Sequence, residues 1–363
     1  MNFVTVTAQS ASASVQPPSG IPANGFLWCD CPYDEVRAWV EPIQRLTGVT
    51  FFEDHLIDAE NPYHPSYFDS TQRYEMIVFR GLAIAPPEGG PNQAIRVKTT
   101  PTVFFITPGC LVTVRPPDSR LVPALRDRLL TASEAHQRLP GGPEELMLRL
   151  LNGMVDRYLD LRQPLTDQLE RWQKALLDPR RPFRDWYVLL EARSEARKLE
   201  QLCEEQLDAL QEWRDERLEH ISLEAQCPPG ALPSLSDSLE VRANDLVEHI
   251  HRVLNHARRL ESSVESAVQL HFSATAHRTN DIMRTLTTIT AIFMPLNLIT
   301  GIYGMNFEMI PGLKSPIGFW MTIGAMLLIT LGLMIFFRAQ RYLASAKTTR
   351  MQQRRTIEKR SST

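Results

Sequence analysis

The chain has 363 residues, 43% of them hydrophobic and 22% charged, with a formal net charge of -3. That length and balance suit one sizeable folded domain with further helical segments, and the small net charge gives no reason to expect a nucleic-acid partner. Five scattered cysteines, Cys29, Cys31, Cys110, Cys203 and Cys227, predict free thiols rather than a disulfide framework.

Residues 1–25 are rich in Ser, Ala, Pro and Gln, lack the apolar core of a secretory signal and are expected to form a disordered tail. Residues 26–135 read as a cytoplasmic α/β domain. Runs rich in Val, Ile, Phe and Thr at 26–31, 74–85, 94–98, 102–107 and 111–115 predict strands, and 33–46 and 119–132 predict helices. His55 and His64 are expected to be solvated loop residues. No Gly-rich phosphate loop, nucleophile elbow or paired Cys and His ligands occur, so neither an enzyme nor a catalytic cofactor is expected.

Residues 142–233 predict long charged helices. One covers 144–177 with a kink at Pro164, and a turn at 178–182 leads into a second at 184–226, where twelve acids face six basic residues. The acidic face reads as solvated; its alternative is a cation sensor or a contact for the basic tail. After a break at 227–233, Ser236 or Asp237 can cap a stalk helix over 234–281. Neither Gly nor Pro interrupts the chain between Ser234 and Pro295, so this helix can continue into the apolar segment that follows. Leu246, Ile250, Val253, Ala257, Leu260, Val264 and Ala267 form a heptad seam that intramolecular packing or oligomerisation can satisfy.

Residues 285–307 contain no charge, and at about 1.5 Å per residue they cross a hydrocarbon core of roughly 30 Å. The first transmembrane helix is placed at 282–307, a short extracytoplasmic loop at 308–316 and the second transmembrane helix at 317–337. A tail over 338–363 carries eight Lys and Arg against Glu358 alone, which predicts cytoplasmic termini in a plasma (inner) membrane. Within the first span, Asn280, Met283, Thr287, Thr290, Met294, Asn297, Gly301 and Gly304 recur at spacings of three and four. Polar residues at membrane depth face a bundle interior or a water-filled path, and hydroxyl and amide oxygens suit a hydrated divalent cation. Met283, Leu286 and Met294 can form apolar constrictions. The second span, with isolated Thr322 and Thr330, is expected to form an outer ring against lipid.

The run NDIMRTLTTITAIFMPLNLITGIYGMNF, residues 280–307, resembles the first transmembrane helix and signature of the CorA-type magnesium transporter family, with Gly304-Met305-Asn306 as its GMN motif. The resemblance implies a funnel-shaped homopentamer with a central pore made by five copies of the first span, transporting Mg2+ and regulated by it. It further implies a selectivity filter at Gly304, Met305 and Asn306 and a pore lined by Asn280, Met283, Leu286, Thr287, Thr290, Met294, Asn297 and Gly301. Asp245 matches a regulatory metal position and Glu308 the first acid of the outer loop, whereas Gly312 stands where many members have a second acid. A zinc transporter of the ZntB type on the same fold is the rival, supported by His249, His256 and His277, since zinc prefers imidazole. A membrane-anchored coiled-coil scaffold is the remote alternative.

Overall fold

The computed structural model describes residues 1–35, 37–83, 94–134, 138–176, 187–223, 237–305 and 316–339. The chain divides into two compact units, Met1–Val268 and Gln269–Thr363.

The first unit is built on a seven-stranded sheet. Its strands are β1 (Asn2–Thr7), β2 (Ala11–Ser14), β3 (Gly25–Pro32), β4 (Tyr67–Ser70), β5 (Glu75–Leu82), β6 (Thr99–Thr107) and β7 (Cys110–Arg115), in spatial order β2-β1-β3-β7-β6-β5-β4. Every pair is antiparallel except β3 with β7. The expected disordered tail is therefore wrong. β1 pairs along its length with β3, and Phe3, Val4 and Val6 are buried. Gly25 belongs to that pairing, because a Cβ there would lie 2.1 Å from the Val6 carbonyl oxygen.

Alternation of side chains across the strands feeds two cores. On one face, Leu27, Cys29, Cys31, Val78, Phe105, Val112 and Val114 pack against Trp39, Ile43, Leu56 and Ala59 of the region containing α1 (Val40–Thr47) and α2 (Glu53–Glu60). On the other, Val4, Phe26, Trp28, Ile77, Phe79, Phe104 and Leu111 share a core with α3 (Leu121–Glu134), α4 (Pro143–Leu176), α5 (Tyr187–Leu223) and the first half of α6 (Asp237–Tyr303). Sheet and long helices are thus one body, not the separate segments 26–135 and 142–233. Burial on both faces also explains why the strands read as near-continuous apolar runs.

Two local expectations fail. Residues 94–98 form no strand. Instead they lie across the helices, with Ile95 N–H donating to Gln168 Oε1 (3.1 Å) and Val97 N–H to Glu195 Oε2 (2.8 Å). His55 is buried on α2 rather than solvated, its Nδ1 2.8 Å from the Tyr74 hydroxyl and its Nε2 2.9 Å from Asp69 Oδ2. Pro164 lies inside α4, which continues through it as the single long segment expected.

Buried charge is paired. Arg115 holds Asp30 through both carboxylate oxygens (2.7 and 3.1 Å). Arg217 reaches Glu75 (2.8 Å) and Glu144 (3.2 Å), and Trp213 Nε1–H donates to Glu75 (2.9 Å), joining α5 to β5 and α4. Burial raises the Glu75 carboxyl to about 7 against the pull of Arg217. Cys29, Cys31, Cys110 and Cys203 are free and buried; burial raises all four, and pushes Cys110 and Cys203 up to about 12, which makes them inert core residues. Cys227, the turn at 178–182 and the break at 227–233 lie outside the described residues.

The heptad seam of α6 finds its partner within the chain. All seven of its residues are buried, in the cores shared with α4 and α5. Ion pairs flank it, Arg258 with Glu200 and Glu204 and Arg197 with Glu261 among them, so part of the acidic α5 face is neutralised rather than solvated. The second unit contains the remainder of α6 and α7 (Pro316–Ala339).

Candidate functional site

In the second unit, α6 turns two chemically different sides outward. Thr288 is buried, while Asp281, Arg284, Ala291, Ile292, Pro295, Leu296 and Ile299 are half-buried. At 3.6 residues per turn these eight share one side. Asn280, Met283, Leu286, Thr287, Thr290, Met294, Asn297 and Gly301 are all exposed. The stripe of Asn, Thr, Met and Gly is centred roughly 140° around the helix from the covered side.

The hydroxyl geometry matters for what this stripe can bind. Thr287 Oγ1 donates to the Met283 carbonyl (2.8 Å) and Thr290 Oγ1 to the Leu286 carbonyl (3.0 Å). Each hydroxyl proton is spent on the helix's own backbone, and the lone pairs remain as acceptors. A neutral surface of acceptor oxygens suits a cation or the waters around it better than an anion.

At its end the helix closes in a turn, with Gly304 N–H on the Thr300 carbonyl (2.9 Å) and Met305 N–H on the Ile302 carbonyl (3.3 Å). Gly304 and Met305 are both exposed there. Asn306, Phe307 and Glu308 lie outside the described residues, as does the tail beyond residue 339.

The half-covered residues of α7 are Gly318, Thr322, Ile323, Met326, Ile329, Thr330, Leu333 and Phe337, again at helical spacing. Thr322 and Thr330 are therefore part of a covered face, not isolated. Both hydroxyls donate back to their own helix, to Gly318 (2.9 Å) and Met326 (2.8 Å). The spacing of those residues was the missed signal. Between the two helices, at the Tyr303 end, lies a cavity of about 470 Å³.

Asp245 stands in the first unit, exposed on α6, with its Oδ1 3.6 Å from His249 Nε2. His249 Nδ1 is 3.2 Å from Asn152 Oδ1 and 3.9 Å from Asp156 Oδ1 on α4. His256 is buried, its Nε2 3.1 Å from Thr166 Oγ1. That hydroxyl donates to the Arg162 carbonyl (2.8 Å), so the His256 nitrogen must supply the proton of their bond. Burial, then Arg162 and Arg259, lower the His256 pKa and keep the ring neutral. His256 therefore turns into the α4 seam. Among the described residues no group of three or more His, Cys, Asp or Glu side chains is arranged to hold a metal ion.

Two apolar helices long enough to span a bilayer, one bearing an exposed polar stripe that ends at a GMN tripeptide, agree with the match of residues 23–339 to the CorA-like Mg2+ transporter protein family. The chain belongs to that family. It is 26% identical over 203 residues to the cobalt/magnesium transport protein CorA of Thermotoga maritima, a match covering 54% of this chain and 52% of the relative. The chain thus spans about half the length of that relative. It is 26% identical over 241 residues to the magnesium transport protein CorA of Salmonella typhimurium, covering 66% of this chain and 71% of the relative. The complete structure of the CorA magnesium transporter from Methanocaldococcus jannaschii superposes with a TM-score of 0.74 at 18% identity, covering 93% of this chain and 97% of that one. The CorA-like fold, an α/β domain followed by long helices and two C-terminal transmembrane helices, therefore extends over nearly all of the chain.

Proposed function

We propose that this chain is the subunit of a divalent-cation channel that carries hydrated Mg2+ into the cell. One pair of spans cannot wall a pore, so several copies, five on the family pattern, gather with the α6 stripe toward the axis. The observation that carries this reading is the exposure of Asn280, Thr287, Thr290 and Asn297 on the side of α6 away from its covered face. Polar groups at that depth call for a water-filled path or partners from other helices, and a ring of identical copies supplies the path.

Asn306 guards the outer mouth with Gly304 and Met305, Glu308 follows in the outer loop, and Met283, Leu286 and Met294 narrow the inner half. Mg2+ gives up its waters reluctantly, and a neutral ring of oxygens accepts it with its shell intact. The membrane potential supplies about 2.3 kcal/mol per charge per 100 mV, hence roughly 4.6 for a dication, and transport consumes no ATP. The protein sits in the plasma (inner) membrane with both termini in the cytoplasm, the basic residues on that side. Asp245 binds regulatory Mg2+ and slows entry when internal Mg2+ is high.

The zinc reading loses part of its support because His256 is buried and committed to Thr166. Flux of Mg2+ and Zn2+ into proteoliposomes, compared for the wild type and Asn306→Ala, tests the main claim. Mg2+ entry that is strongly reduced in the variant is expected; equal entry would remove the filter role, and entry of zinc alone would reassign the cargo. Asp245→Asn is expected to retain entry at high internal Mg2+, and unchanged inhibition would exclude Asp245 from regulation.

A further inference from the structure

We infer that the cavity between α6 and α7 is a site for one acyl chain of an outer-leaflet phospholipid, whose headgroup rests at the level of Tyr303 and Trp320. The inference relies on the channel reading for the direction of the polar stripe and for the outer side of the membrane.

Two glycines, Gly304 and Gly318, are among the residues that line the cavity. Its walls are hydrocarbon from Ile299, Ile323, Met326 and the Phe319 ring. The threonine hydroxyl protons on the wall are committed to the helices themselves. Thr300 Oγ1 donates to the Leu296 and Asn297 carbonyls (3.1 and 3.0 Å), and Thr322 Oγ1 donates to Gly318. A space of about 470 Å³ walled mostly by hydrocarbon suits an apolar chain.

Position selects lipid over a second copy of the chain. Ile299, Thr300 and Tyr303 are centred roughly 150° around α6 from the middle of the stripe. On the channel reading, other copies gather on the stripe's side of the helix. The cavity is also continuous with a surface that the bilayer covers. Phe319 lines the cavity and is still 62% exposed, and Leu327, Leu328 and Leu331 continue an exposed apolar surface along α7. Tyr303, at the rim, and the neighbouring Trp320, 72% exposed, bring a hydroxyl and an indole N–H to the level where such rings sit in membrane proteins.

The test is photolabelling of the full-length protein in phosphatidylethanolamine/phosphatidylglycerol liposomes doped with a phospholipid carrying a diazirine in its acyl chain. Adducts mapped by mass spectrometry are expected on Ile299, Ile323 and Met326 at about tenfold the level on Leu331, a preference of about 1.4 kcal/mol. Gly318→Leu, or Ile323→Trp as a milder filling of the same space, should abolish the excess while leaving Leu331 labelled. Even labelling along α7, or efficient subunit-to-subunit cross-linking from Thr322→Cys in place of lipid adducts, would overturn the inference. Localised adducts on a protein without Mg2+ flux would defeat the channel reading instead, and diffuse adducts with normal flux would defeat only the lipid site.

Discussion

The first 268 residues and the C-terminal helices solve the same problem, what to do with groups that do not suit their solvent, in opposite ways. In the first unit, the apolar side chains of the sheet and the buried charges find partners within the chain: the sheet is covered on both faces and Arg217 meets Glu75 and Glu144. In the second, Leu327, Leu328, Phe319 and Trp320 remain exposed, and the polar stripe has no cover of its own. A unit that completes itself can be read from one chain; on the proposed reading, the one that leaves its surfaces open is completed by bilayer and by other copies.

The contrast can be broken most severely at Arg217. Arg217→Met leaves two buried carboxylates beside a missing guanidinium and should cost roughly 3–5 kcal/mol, measured as a loss of hydrogen-exchange protection across α5 and β5. A paired substitution sharpens it further. Ile250→Ala, at a fully buried position, should destabilise by about 2–5 kcal/mol, whereas Leu328→Ala, 74% exposed, should change denaturation by no more than about 0.5 kcal/mol. Equal losses would mean that α7 has a protein partner along that surface. The smallest effect is one of pH. The Glu75 carboxyl is raised from 4.5 to about 7, so its stabilising contribution is complete at low pH and declines as pH rises through that interval. Glu75→Gln should flatten the decline in melting temperature between pH 4.5 and 7; an unchanged slope would assign it to other groups.

The sequence made the long elements legible because their periods are long. A charge-free run, a heptad seam and a polar stripe are each long enough to exceed local noise, and α6 and α7 follow from them. β1 was hidden by its neighbours: Phe3, Val4 and Val6 carry a strand pattern, but the Ser, Ala and Pro after them dominate the composition of any wider window. α2 is eight residues long, too short for its period to register, and so His55 read as a loop residue. The stripe was visible as a spacing, whereas the covered face beside it depends on where α7 lies. Nor could one sequence show that His256 points into α4, since that follows from Thr166, 90 residues away.

Pro295 brings a mechanical property to the span. Without an N–H it leaves the Ala291 carbonyl without its helical donor, and Gly301 and Gly304 follow within nine residues. From Asp237 to Met294, α6 contains neither residue type. Its elastic compliance is therefore concentrated in the final dozen residues. A bending load on the span is taken up beside the GMN tripeptide, and on the channel reading a small deflection there alters the aperture.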